Sequence, residues 1–193
     1  FETAYMGQPV TKKLTFYYNS YEVDVDVSLR EIKESSLDEK YILSWVGGLP
    51  EHEGSQDAMF MEGLVSQVGS IESFRVGSAG FFGSSNTKNI SEDTKRYVGL
   101  VDFAGYRTKY FGVFFVPQKS DMVELYKYPS LTRAGVDINI TQDINLEKNK
   151  LYLGPLDYTS VEALGVGLEE KILGWQWLSS VSWLVYSIMI LLY

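Results

Sequence analysis

The chain has 193 residues, of which 45% are hydrophobic and 15% aromatic, and a formal net charge of −8. This suits one globular domain with a real core, with or without an appendage; it excludes a disordered chain and leaves no basic footprint for nucleic acid. The absence of cysteine removes disulfides, thiolate zinc sites and cysteine nucleophiles, while 14 Tyr and 10 Phe favour strands.

Phe1 opens the chain without a Met or a signal peptide, and Tyr193 closes it inside an apolar run, so it reads as a piece excised from a longer protein. Lys13 to Leu29, KLTFYYNSYEVDVDVSL, predicts two strands around an Asn19-Ser20 turn. From Tyr21 onward the alternation is strict. Val23, Val25, Val27 and Leu29 face one way, and Glu22, Asp24, Asp26 and Ser28 the other. Tyr41–Val46 is the next strand, closed by Gly47-Gly48-Leu49-Pro50. Glu51–Asp57 is polar and holds the single histidine, His52. Met59–Phe74 predicts one or two strands. Gly77–Asn86 and Thr87–Lys95 together predict a long exposed loop.

Tyr97–Phe103 alternates again. Tyr110–Val116, YFGVFFV, predicts a buried strand ending at Pro117, with a short helix as the alternative. Asp121–Tyr128, Gly135–Ile144 and Lys150–Leu153 complete the series. The spacing predicts a large antiparallel sandwich. Strands and helices do not alternate, which argues against a doubly wound fold. After Pro155 the pattern changes. Leu156–Leu164 predicts a short helix with Asp157 or Thr159 as N-cap, broken by Gly165 and Gly167. A second helix is predicted from Leu168, with an interruption at Gly174.

No catalytic constellation is visible. His52 stands alone, which rules out a triad or a two-histidine metal site within this chain. Glu22, Asp24 and Asp26 stand roughly 7 Å apart along one strand face, open to a calcium reading or to that of a solvated face. Gly77–Gly83 lacks the Lys-Ser/Thr ending of a phosphate loop, and its Phe81 and Phe82 suggest an aromatic loop tip. Tyr17, Tyr21, Phe81 and Phe82 also support a second reading, a carbohydrate-binding sandwich. A third is a chaperone that takes extended peptides along a sheet edge.

Gly174–Tyr193 contains no charged residue and three of the four tryptophans. Trp175, Trp177, Leu178, Val181, Trp183, Leu184, Val185 and Ile188 follow roughly helical spacing, and Trp and Tyr favour the bilayer interface. The expectation is an amphipathic interfacial helix leading toward a spanning one, against the alternative of a helix packed on the sandwich.

Leu151-Tyr152-Leu153-Gly154-Pro155, Gly174-Trp175-Gln176-Trp177-Leu178, and Lys109-Tyr110-Phe111 with Val116-Pro117 are the distinctive motifs of the chain. Together with Lys12–Leu29 they resemble the large first periplasmic domain of the YidC membrane insertases of Gram-negative bacteria, members of the YidC/Oxa/Alb superfamily. The resemblance implies an antiparallel β-supersandwich, similar to galactose mutarotase, over 1–155, entered partway by Phe1. It implies a helical segment over 156–193 leading to the membrane. It further implies a non-catalytic role, without cofactor or metal, in inserting and folding inner-membrane proteins alone or with the Sec translocon. The partners it implies are SecD/SecF, nascent membrane proteins and the membrane surface. The family's intramembrane groove and its arginine lie outside this sequence.

Overall fold

The computed structural model describes residues 1–29, 32, 40–49, 60–76, 78–79, 85–86, 93–128, 135–169 and 179–192. Its first strands are β1 (Glu2–Tyr5), β2 (Gln8–Phe16), β3 (Glu22–Ser28), β4 (Lys40–Trp45), β5 (Glu62–Gln67) and β6 (Ser70–Arg75). A small ribbon follows, β7 (Ser78–Ala79) with β8 (Ser85–Asn86). The series continues with β9 (Asp93–Val98), β10 (Phe103–Arg107), β11 (Phe111–Pro117), β12 (Met122–Tyr128), β13 (Gly135–Asp143) and β14 (Lys148–Pro155). One sheet has the order β1-β2-β3-β14-β11-β10-β5-β6, and the other β4-β13-β12-β9.

The two sheets share one core. Val23, Val25 and Val27 of β3, Val113 and Phe115 of β11, and Val65 of β5 meet Leu125 of β12 and Ile138 and Ile140 of β13. The fold is therefore a mainly β, antiparallel sandwich, in agreement with the period-two patterning. Gly63 on β5 shows how closely the sheets approach. A Cβ there would lie 2.9 Å from Leu125 Cδ1 and 3.2 Å from Val136 Cγ1, both on the opposing sheet. One polar node is buried among these side chains. Gln142 donates to the Lys119 carbonyl oxygen at 2.8 Å and to Asn149 Oδ1 at 2.7 Å. The Tyr41 hydroxyl lies 2.8 Å from Gln142 Oε1, so β4, β13 and β14 are tied through satisfied polar groups.

Several turns and strands match the sequence patterning. Asn19, at φ 61°, closes the β2–β3 hairpin, where an Asx residue tolerates the left-handed region. The Met59–Phe74 stretch contains β5 and most of β6. β11 is a strand and not a short helix, with Gly112, Val113, Phe114 and Phe115 all buried.

Two expectations are corrected. Tyr97–Phe103 is not one strand: β9 ends at Val98, Gly99 turns at φ 101°, and β10 begins at Phe103. Its alternation survives because Val101 and Phe103 are buried after the turn, while Val98 and Leu100 face solvent. The predicted loop also ends early, since Asp93, Thr94 and Lys95 belong to β9 and pair with β12. Phe81, Phe82 and His52 lie outside the described residues.

The chain falls into two compact units, Phe1–Gly154 and Pro155–Tyr193. In the second, α1 (Tyr158–Glu162) is capped by Asp157, whose carboxylate accepts from the Ser160 backbone N–H at 2.9 Å. Gly165 and Gly167 follow at φ 65° and 76° and end the helical path. The last element is α2 (Ser179–Leu192).

Candidate functional site

β14 carries the chain out of the sandwich, and its last residues meet an aromatic ladder on the outer face of the eight-stranded sheet. Leu151 turns inward into the shared core, so alternation turns Tyr152 and Gly154 outward. A Cβ on Gly154 would sit 2.5 Å from Tyr21 Cγ, so only glycine leaves room for that ring at this step. Tyr21 meets Tyr152 edge-on at 6.1 Å between ring centroids. Tyr152 then meets Phe114 of β11 at 6.3 Å, and Phe114 meets Phe103 of β10 edge-on at 5.8 Å. Gly105 lies beneath Phe114, whose Cδ1 comes within 2.0 Å of where a Cβ would be. The ladder thus crosses three adjacent strands and ends at the Gly154-Pro155 step.

An ion pair continues the same face. Glu62 of β5, only 3% exposed, accepts from Arg107 Nε at 2.8 Å, and Arg75 Nε lies 3.8 Å away. Burying a carboxylate is costly unless cations pair with it in this way.

The acidic strip lies farther along the outer face. Lys13 and Lys148 stand opposite Asp26, Lys150 stands opposite Asp24, and Lys150 Nζ is 3.0 Å from Glu22 Oε2. The Tyr17 hydroxyl donates to Asp24, and that bond, more than any other influence, raises the pKa of the phenol. Together with Val116, Pro117 and Gln118, the Asp24, Asp26 and Lys148–Lys150 side chains line an open groove of about 460 Å³. Each carboxylate of the strip has a lysine close by, across the strand pair. Among the described residues no group of three or more His, Asp or Glu side chains is arranged to hold a metal ion.

The sequence-derived motif residues are thereby spread over the domain. Tyr110 and Phe111 are exposed at the β10–β11 turn, Pro117 is buried at the far end of β11, and Leu151, Tyr152, Gly154 and Pro155 form the end of β14. Gly174, Trp175, Trp177 and Leu178 lie outside the described residues. Val181 and Trp183 fall within α2. Leu184, Val185 and Ile188 are about half exposed there, and Met189, Ile190 and Leu191 more so. These positions cover most of the helix circumference. At 14 residues α2 is about 21 Å long, against roughly 30 Å of bilayer hydrocarbon. Among the described residues no helix is long and apolar enough to cross a membrane. The Gly105–Phe114 and Glu62–Arg107 pairs went unseen in the sequence, because each joins two strands through a register that only the folded sheet reveals.

Comparison with known proteins assigns this architecture to the extracytoplasmic domains of membrane insertases. The family model described as the YidC periplasmic domain matches residues 2–186. The chain belongs to that family. It is 29% identical over 182 residues to the membrane protein insertase YidC of Chlorobaculum parvum, covering 86% of this chain and 28% of the relative. The protein of the same name from Chlorobium limicola is 28% identical over 178 residues, with 85% and 28% covered. That of Syntrophus aciditrophicus is 25% identical over 182 residues, with 88% and 30% covered. The chain therefore spans less than a third of the length of these relatives. As a periplasmic domain it belongs on the extracytoplasmic side of the membrane.

Proposed function

We propose that this chain is a non-catalytic docking and positioning domain of a YidC insertase. It acts on the periplasmic face of a Gram-negative inner membrane, in the insertion and folding of inner-membrane proteins. The family match over residues 2–186 carries the reading. The sandwich over 1–155 offers the docking surface to SecD/SecF and to nascent membrane proteins. The segment 156–193 positions that surface on the bilayer. Trp175, Trp177, Leu178, Val181, Trp183, Leu184, Val185 and Ile188 are the residues assigned to the membrane interface. The exposed apolar side chains of α2 support this assignment, because a helix apolar around most of its circumference is poorly suited to water.

The test is vesicle flotation of the full chain beside a chain lacking Gly174–Tyr193. The full chain floats and the shortened one floats far less. Equal flotation of both removes the positioning role of the tail. Site-specific crosslinking from the sandwich to SecD/SecF and to nascent chains tests the partners, and a surface that captures neither removes the docking role.

A further inference from the structure

One end of the eight-stranded sheet is an aromatic rim, and the register shows which residues share it. Phe16 stands opposite Val23, and Tyr152 opposite Glu22, so the β2–β3 loop and the end of β14 lie together. The Tyr21 carbonyl accepts from the Leu153 backbone N–H at 2.9 Å, which ties the two. The groove joins Val116–Gln118 to Lys148–Lys150, so β11 ends where β14 starts, and β11 begins at the rim. Arg107 stands opposite both Gly112 and Glu62, which brings the β10–β11 turn and the approach to β5 to the same end.

That end exposes rings. Tyr18 is 95% exposed and Phe16 70%, with Tyr17, Tyr110, Phe111 and Phe60 each between 38% and 49%. From Phe16 to Tyr21 the loop carries no charge. The turn beyond it carries Lys109, whose ammonium lies 4.7 Å from the Tyr110 ring centroid and 6.0 Å from that of Phe60. The opposite end differs in kind. There Met6, Val68, Val98 and Leu100 are exposed, and among the described residues of that end Tyr5 is the one exposed tyrosine.

We propose that this rim rests on the lipid–water interface and forms a second membrane contact, separate from the tail. Two observations select a lipid surface as its occupant. Tyrosine places an apolar ring and a hydroxyl together, which suits the headgroup layer. Lys109 sets a cation beside two of the rings, which suits a layer containing anionic headgroups. The inference rests on the membrane reading above, and the experiment separates the two.

The chain has no cysteine, so Tyr18→Cys and Val68→Cys each accept one environment-sensitive fluorophore. Both positions are almost fully exposed, so neither change disturbs the core. The full chain is mixed with vesicles of phosphatidylethanolamine and phosphatidylglycerol. The probe at 18 shifts to the blue and is quenched by brominated lipid several times more strongly than the probe at 68. If the chain floats with the vesicles while the probe at 18 stays in water, the rim contact is overturned and the membrane reading stands. Equal shifts at both positions mean general adsorption and overturn it as well. A shift that follows protein concentration without vesicles means self-association and also overturns the rim contact. A chain that does not float removes the membrane reading and the rim contact with it.

Discussion

Gly105 and Gly154 are both overlain by rings, but the two sites differ in what can give way. At Gly105 the added Cβ would meet Phe114 Cδ1 at 2.0 Å and the Val113 carbonyl oxygen at 2.5 Å. One obstacle is a buried ring and the other is backbone, so Gly105→Ala forces the β10–β11 pair apart. Overpacking of this kind costs about 3 kcal/mol. At Gly154 the three nearest atoms are Cγ, Cβ and Cδ1 of Tyr21, which is 48% exposed; its ring can swing toward solvent, and its Cβ, 2.7 Å away, gives way only with a small shift of the exposed β2–β3 loop. Gly154→Ala therefore costs about 1–2 kcal/mol. In a Tyr21→Gly background, which removes all three atoms, the added cost of Gly154→Ala falls to near zero, whereas Gly105→Ala stays costly in a Phe114→Ala background, where the Val113 carbonyl oxygen remains. Urea denaturation of the single and double variants measures both cycles, and equal rescue at the two sites contradicts the assignment. The sequence marked Gly154 through its neighbour Pro155. It did not mark Gly105, because the partner Phe114 is nine residues away and only the register brings it overhead.

Strands with one buried and one wet face were legible in the sequence because alternation records that asymmetry directly. β3 shows this, with Val23, Val25 and Val27 inward and Glu22, Asp24 and Asp26 outward. β1 was not seen, since all four of its residues are exposed and no buried face stamps a period on them. The Met6-Gly7 turn that pairs it with β2 relies on φ values of 52° and 80°, which Met at the first position does not advertise. Tyr97–Phe103 misled for the reverse reason, as buried positions kept an even spacing across a turn. At this scale α2 yields a prediction. A helix of 14 residues, with no acidic residue in its first turn and no basic residue in its last, is marginal in water. Its apolar exposure favours lipid surroundings, which in turn favour internally bonded backbone. A synthetic peptide of residues 174–193 gains strong helical circular dichroism on transfer from buffer to detergent micelles. Equal helicity in both media shows that the helix needs no apolar surroundings.

At the scale of the whole molecule, the two proposed membrane contacts differ in how they link lipid to folding. The tail 174–193 is a continuous stretch of chain, able to meet lipid whether or not the sandwich is folded. The rim exists only when β2, β3, β14, β11, β10 and β5 are in register, because its side chains come from separate parts of the chain. A surface that binds the native state alone stabilises it by mass action, whereas one that binds native and unfolded states equally does not. Vesicles therefore stabilise the sandwich through the rim by about 1–3 kcal/mol at saturating lipid, which raises its urea midpoint. In a variant combining Tyr17→Ser, Tyr18→Ser and Tyr110→Ser, the rise disappears while the tail still carries the chain to the top of the gradient. Removing 174–193 has the opposite signature, since flotation weakens while any lipid bound at the rim still adds to stability. Midpoints measured with and without vesicles, for the full chain and both variants, distinguish these cases. An unchanged midpoint for the full chain, with flotation intact, assigns all membrane contact to the tail and leaves the aromatic end of the sandwich without a lipid role.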